Sequence, residues 1–279
     1  MTTQQSWTNP FAAEYEHRKA EVLAMAGFEF KVDLEALGRA GHVLVKNADD
    51  LVSHARVFLH GRRYVPHVSD EYENELVRFL HNYLTAVYSL IEAQRVVMRH
   101  RWGDQSQFET GIYTERRRAV FETGEAEFMT ELRNYCTHRS IPVPGMVTTL
   151  FGEAGQPPQI RNALKLDRDK LLGWKKWTAP AKAYLRAKDP EFDLLPVIQS
   201  YINGVRQFFD WFVQEIQNQN ADITDAYMTA AQELRDWYVA QTGVTDEFLS
   251  GGRPLSPAKG QGQREQPKRR TKRQRMGGK

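Results

Sequence analysis

The sequence LEALGRAGHVLVKNADDLVSHARVF, residues 34–58, determines most of what can be predicted about the fold. Its apolar and small side chains recur at alternating steps of three and four residues, from Leu34 through Leu44 and Leu51 to Phe58. This spacing places them along one side of a helix of about eight turns. The glycine- and proline-containing stretch 61–66 ends the pattern. We therefore predict one long amphipathic helix here.

A second helical pattern begins at Asp70 and extends to about Trp102. Asp70 and Glu73 have the spacing of a capping pair at a helix start. The apolar side chains of this pattern also follow helical spacing: Leu76, Phe79, Leu80, Tyr83, Val87, Leu90, Ile91 and Val97. We expect the helical pattern that follows it to be antiparallel to another long helix, within a bundle of long antiparallel helices.

A third pattern is predicted as one long helix from near Ser106 to His138. Its buried side is defined by Phe121, Phe128, Leu132 and Tyr135. A glycine at 124 weakens its middle, and prolines at 142 and 144 stop it.

The remaining chain divides into a segment with strand character and further helices. β-Branched residues near Val147 and Ile160 favour a small β-hairpin within 146–166, although a surface loop fits almost as well. Such a hairpin would shape a substrate groove or a subunit contact. Asp167 is expected to cap a helix kinked by Pro180, and two more helices follow, from about 193 and over about 222–241. The predicted fold is all-α, a bundle of about six helices, with one helical domain over 1–242 and a disordered basic tail over 243–279.

Candidate chemistry lies at the end of the third pattern, in Arg133-Asn134-Tyr135-Cys136-Thr137-His138. An arginine stays charged at any physiological pH and can hold a phosphate. A histidine can exchange a proton near neutral pH, and Asn134, four residues before His138, could orient its imidazole. An anion-binding group beside a general acid or base suits phosphodiester cleavage. In a purely structural alternative, Arg133 and His138 lie at a helix C-terminus and only complement the helix dipole.

This pattern resembles the R-x4-6-H signature of the HEPN superfamily, helical proteins that include metal-independent ribonucleases. The polar Asn134 directly after the arginine fits that signature, and the preceding Leu80-His81-Asn82-Tyr83-Leu84 helix strengthens the likeness over residues 70–140. The resemblance implies an endoribonuclease, of a toxin or phage-defence type, in which His138 moves protons and Arg133 stabilises phosphate charge. Asn134 would hold the histidine tautomer or contact the substrate. The resemblance also implies RNA as substrate, a homodimer, and an antitoxin or other protein partner.

The bare spacing is not specific, because Arg95 and His100 share it. A competing prediction is a catalytically silent helical interaction protein. A shared polar cleft for Arg133 and His138 would favour the nuclease, and packing of either against a neighbouring helix would favour the silent protein. In a third alternative, the basic tail has the principal role, tethering nucleic acid to a structural body.

Charge is distributed unevenly along the chain. Residues 256–279 contain nine Lys or Arg and one acid, a net +8, which leaves −5 for residues 1–255 out of the total of +3. Such a tail attracts polyanions with strong salt dependence. The candidate nucleic-acid-binding residues are Lys268, Arg269, Arg270, Lys272, Arg273 and Arg275.

Composition narrows the remaining classes. The single cysteine excludes an intrachain disulfide and fits a reducing compartment. No secretory signal or membrane span is recognised, so a cytoplasmic location is expected. The common NTP-binding, hydrolase-elbow and zinc-peptidase motifs are missing from the sequence, and we predict neither a metal site nor a cofactor.

Overall fold

The fold is mostly helical, with one small antiparallel sheet. The computed structural model describes residues 10–61, 69–139, 142, 144–152 and 159–243. The helices are α1 (Ala12–Leu23), α2 (Ala26–Leu59), α3 (Asp70–Trp102), α4 (Thr114–Phe121), α5 (Gly124–His138), α6 (Arg168–Leu172), α7 (Ala179–Arg186), α8 (Leu194–Gln219) and α9 (Ala221–Thr242). The strands are β1 (Gly145–Phe151), β2 (Gln159–Asp167) and β3 (Glu191–Asp193).

The two long helices α2 and α3 form an antiparallel pair, as predicted. Contacts at both ends establish their direction: Asp33 meets His100, with 3.1 Å between Oδ1 and Nδ1, while the Tyr72 hydroxyl donates to the His54 carbonyl at 2.7 Å. The predicted start of α3 is corrected in one detail. Ser69 is the N-cap, and its hydroxyl accepts a hydrogen bond from the Tyr72 amide.

The predicted third helix is not continuous. A π-helical turn over Glu109–Tyr113 precedes α4, and the chain then leaves helical geometry at Glu122 and Thr123. Thr123 has extended backbone angles and accepts a hydrogen bond from the Ala126 amide, so it caps a new helix. The motif therefore lies on α5, a separate helix of 15 residues. The side chains predicted to define the buried side are buried all the same.

The predicted hairpin is formed by β1 and β2, and the short β3 adds a third strand to β2. Asn162 on β2 is buried and connects this sheet to the end of α2. Its amide nitrogen donates to the Phe58 and Gly61 carbonyls at 2.8 and 3.1 Å, and its oxygen accepts from the Thr148 hydroxyl at 2.8 Å. Asn162 thus adds side-chain hydrogen bonds to carbonyl groups at the end of α2.

The later helices complete the core. Asp167 caps α6 as predicted, but Pro180 lies in the first turn of α7 and begins that helix instead of kinking a longer one. Helix α8 buries its predicted apolar stripe, and α9 packs against α1 and α2. None of the helices in the described part of the chain combines the length and apolar character that a membrane crossing demands. The predicted tail, apart from Gly243, lies outside the described residues.

Candidate functional site

Helix α5 is held in place by aromatic side chains on its buried face. Tyr135 stacks on Trp177, with 5.7 Å between ring centroids, and meets Trp174 edge-on at 5.4 Å. Phe128 contacts Trp177 and Tyr184. Each such pair contributes roughly 0.5–1.5 kcal/mol beyond simple burial. This packing fixes α5, so the motif side chains project from a rigid support.

Arg133 has a defined position on α5, on the side that meets α3. Its guanidinium carbon lies 4.2 Å from the ring centroid of Tyr88 on α3, a cation–π contact. Its Nη1 also contacts Asn134 Oδ1 at 3.5 Å, the longest hydrogen bond of the motif. Tyr88 is 46% exposed, so the contact lies at the surface and not within the core. Arg133 is therefore positioned by its neighbours while it remains half-buried.

His138 is the last residue of α5 and is exposed. Its side chain has no hydrogen bond and no ion pair among the described residues. Asn134 does not orient it: the Asn134 amide nitrogen donates to Glu131 Oε2 at 3.3 Å, and its oxygen faces Arg133. The predicted contact between Asn134 and the imidazole is therefore not formed within the described structure.

Helix geometry separates the two candidate catalytic groups. Residues five apart lie about 140° apart around a helix axis and roughly 7.5 Å apart along it. Arg133 is on the side of α5 that meets α3, and His138 points away from that side. Half-buried Asn134 and exposed Thr137 lie between them, so the surface that joins the two is polar.

The pair with the same spacing on α3 has a different environment. Arg95 is ion-paired with Glu92, and His100 with Asp33. Both members of that pair are therefore engaged by carboxylates, whereas neither Arg133 nor His138 has an ion-pair partner among the described residues. The two R-x4-H patterns that look alike in the sequence are thus chemically distinct in the fold.

A cavity of about 380 Å³ lies beside α5, between Tyr135 and the sheet. Its charged lining consists of Lys165, Asp167, Lys170 and Glu191. Arg133, Asn134 and His138 do not line it. Lys165 and Lys170 are each paired with a carboxylate, at 3.1 and 3.4 Å, so this cavity offers little net attraction for an anion.

Cys136 is excluded as a nucleophile by its surroundings. Its side chain is buried, and burial raises the pKa of the thiol to about 12. It acts as a small packing residue, as its position within the helix suggested. In the described part of the chain, no group of three or more His, Cys, Asp or Glu side chains is arranged to hold a metal ion.

Two residues that contact the motif were not found from the sequence. Tyr88 lies on another helix, 45 positions before Arg133 by residue number, and no sequence signal joins them. Glu131 lies three positions before Asn134 on the same helix, but its bond to Asn134 depends on side-chain geometry. The six candidate residues of the basic tail lie outside the described residues.

Comparisons with protein-family models, with curated proteins and with solved structures give no match to this chain. The resemblance to HEPN proteins therefore rests on the motif residues and their helical setting alone.

Proposed function

We propose that this chain is a HEPN-like, metal-independent endoribonuclease that uses Arg133 and His138. The observation that carries the proposal is the arrangement at the end of α5: a positioned guanidinium and, five residues on, an exposed histidine side chain with no partner among the described residues. The pair with the same spacing on α3 is engaged by carboxylates, whereas Arg133 and His138 have no ion-pair partner among the described residues and remain accessible to a substrate.

In the proposed reaction, His138 accepts the proton of a ribose 2′-hydroxyl. The 2′-oxygen then attacks the adjacent phosphorus, and the bond to the 5′-oxygen breaks. Arg133 stabilises the negative charge that develops on the phosphate oxygens. The leaving 5′-oxygen takes up a proton from solvent, to which the His138 imidazolium returns the proton it accepted, and the products are a 2′,3′-cyclic phosphate and a free 5′-hydroxyl. Water is not consumed in this step.

The active form is proposed to be a homodimer. Arg133 and His138 of one copy lie about 140° apart around α5, so one helix alone does not direct both at the same phosphate. Two copies placed with their α5 ends together would bring Arg133 of one copy near His138 of the other. The resemblance to HEPN proteins implies a homodimer in which two such motifs are paired.

The test is RNA cleavage in the presence of EDTA. We expect His138→Ala and Arg133→Ala each to lower the rate by ~100-fold or more, because acid–base and charge-stabilising groups typically contribute that much. His100→Ala and Arg95→Ala are matched controls with the same spacing, and they should retain activity. Equal cleavage by wild type and both motif variants would overturn the proposal, as would a strict requirement for added metal.

Mixing the two inactive variants tests the dimer. In a mixed dimer, one composite site combines the intact Arg133 of one copy with the intact His138 of the other. Partial recovery of cleavage on mixing is therefore expected. Absence of recovery would place both groups of a site in the same copy.

A second candidate function is a silent helical interaction protein. The contact of Arg133 with Tyr88 favours it, because this contact gives the arginine a structural role without any substrate. If all the variants above matched the wild type in cleavage while Arg133→Ala lowered the melting temperature, this second function would be preferred.

A further inference from the structure

A polar groove lies between α2 and α8, away from the motif helix. It has a volume of about 560 Å³. Two polar stripes face each other across it, and each has the i, i+4, i+7 spacing of one helix face: Asp49, Ser53 and Arg56 on α2, and Gln199, Asn203 and Arg206 on α8.

The two helices are antiparallel along this groove. Gly41 on α2 faces the Phe209 ring on α8, and further along α2 Asp49 bonds to Arg206. Arg206 and Arg56 therefore mark opposite ends of the groove. Since α2 rises 1.5 Å per residue, the two ends are roughly 10 Å apart.

Both arginines have guanidinium N–H groups without a hydrogen-bond partner among the described residues. Arg56 has no hydrogen bond or ion pair with any described side chain, and Arg206 has one, from Nη2 to Asp49 Oδ1 at 3.2 Å. A guanidinium carries five N–H donors. The Nε of Arg206 is buried and has no hydrogen-bond partner in the described part of the chain, and the same holds for the hydroxyl of Tyr83 on α3.

Arg206 and Tyr83 are close enough to influence each other. Burial raises the pKa of Tyr83 well above its ordinary value, and the Arg206 guanidinium lowers it in part. Arg206 thus lies at one end of a groove whose lining carries two positive charges and one negative charge.

We propose that this groove binds the phosphate groups of an extended ligand, with Arg56 and Arg206 as the two charged contacts. Arginine forks match phosphate oxygens in geometry and charge. Arginine, serine, asparagine and glutamine are the side chains that contact nucleic-acid phosphates and sugars. The lining has no aromatic ring on which a base would stack, so the groove recognises the phosphates and not the bases. This site does not depend on the proposed nuclease activity.

The experiment measures binding to the full chain carrying His138→Ala, which prevents cleavage of the probe. Two probes are used, a short single-stranded RNA oligonucleotide and inorganic phosphate. The variants are Arg56→Gln and Arg206→Gln, with Arg39→Gln as the matched control. Arg39 is exposed on the same helix α2 and does not line the groove, so its removal changes the net charge equally.

We expect each groove variant to weaken RNA binding about tenfold, relative to Arg39→Gln, and to lower the salt slope by ~0.7. Weakened phosphate binding in the same variants would show that a free phosphate ligand suffices. If the groove variants bind RNA more weakly but bind inorganic phosphate as before, the site requires one strand that contacts both arginines. If neither probe distinguishes the groove variants from the control, and all variants melt at the wild-type temperature, the site does not exist.

Discussion

Arg133 shows how a single side chain is positioned by groups on two different helices. Asn134 belongs to its own helix and is in turn held by Glu131, while Tyr88 belongs to α3. Lysine at this position would keep the charge but lose the planar group that stacks on the ring. The position of this charge depends on α3 and α5 packing together.

Cys136 gives a prediction at the same scale, which concerns pH. Because burial raises its pKa to about 12, only about one thiol in 10,000 is ionised at pH 8, and the thiolate is the reactive form. We expect the native protein to react very slowly with a disulfide reagent at pH 8. The same protein in denaturant should react quickly, since an exposed thiol ionises near pH 8.5.

The sign of the linked effect on stability follows from this pKa. The folded state keeps the proton that the unfolded state releases above about pH 8.5, so this contribution to stability is complete below that pH and declines as the pH rises towards 12. Equal reaction rates for native and denatured protein at pH 8 would contradict the buried position of Cys136.

Among the elements, α2 contains glycines with opposite surroundings. A Cβ added at Gly27 would lie 2.2 Å from the Ile223 carbonyl oxygen and 2.5 Å from Tyr227 Cβ, both on α9. At Gly38 nothing lies within 4 Å of such an atom. Gly27 therefore permits the close approach of α9, whereas Gly38 has no such role.

We predict opposite effects of alanine at these two positions. Gly27→Ala should lower the free energy of unfolding by about 1–3 kcal/mol through overpacking, which lowers the melting temperature by several degrees. Gly38→Ala should raise stability by up to about 1 kcal/mol, because alanine is the better helix former. Thermal unfolding followed by circular dichroism measures both. A Gly27→Ala protein as stable as Gly38→Ala would show that α9 does not approach α2 so closely.

The break before α5 is the element that sequence periodicity did not resolve. Apolar side chains continue at helical spacing from Phe121 to Phe128, so the pattern predicts one helix. The signal for the break is local: Thr123 is a favourable N-cap, followed by Gly124. Tertiary packing adds a second constraint, because α7 packs closely against the start of α5. A Cβ added at Gly124 would lie 3.2 Å from the Cβ of Tyr184 on α7.

For the whole molecule, the division of charge leads to a further prediction. Removing residues 252–279 from the His138→Ala protein takes away a segment of net charge +9, since it also includes Arg253, and leaves a body of net charge −6. We expect weaker RNA binding and a salt slope smaller by ~0.7 for each phosphate that the shortened protein no longer neutralises. A control that replaces the tail Lys and Arg by Gln at constant length should behave like the truncation. Identical affinity and slope in the intact and truncated proteins would exclude a binding role for the tail.

The sequence by itself determined the helical class, the long helices α2, α3, α8 and α9, and the position of the hairpin. These features depend on local periodicity and on turn residues, which are readable without knowing which segments meet. It also identified Arg133 and His138 as candidates, and it preferred them to Arg95 and His100 because of Asn134 and their place in the helical layout. Only the tertiary structure showed the difference in environment, because it paired Arg95 and His100 with carboxylates and placed Arg133 on Tyr88. Contacts between residues distant in the chain decide which charges are engaged, and no local pattern encodes them.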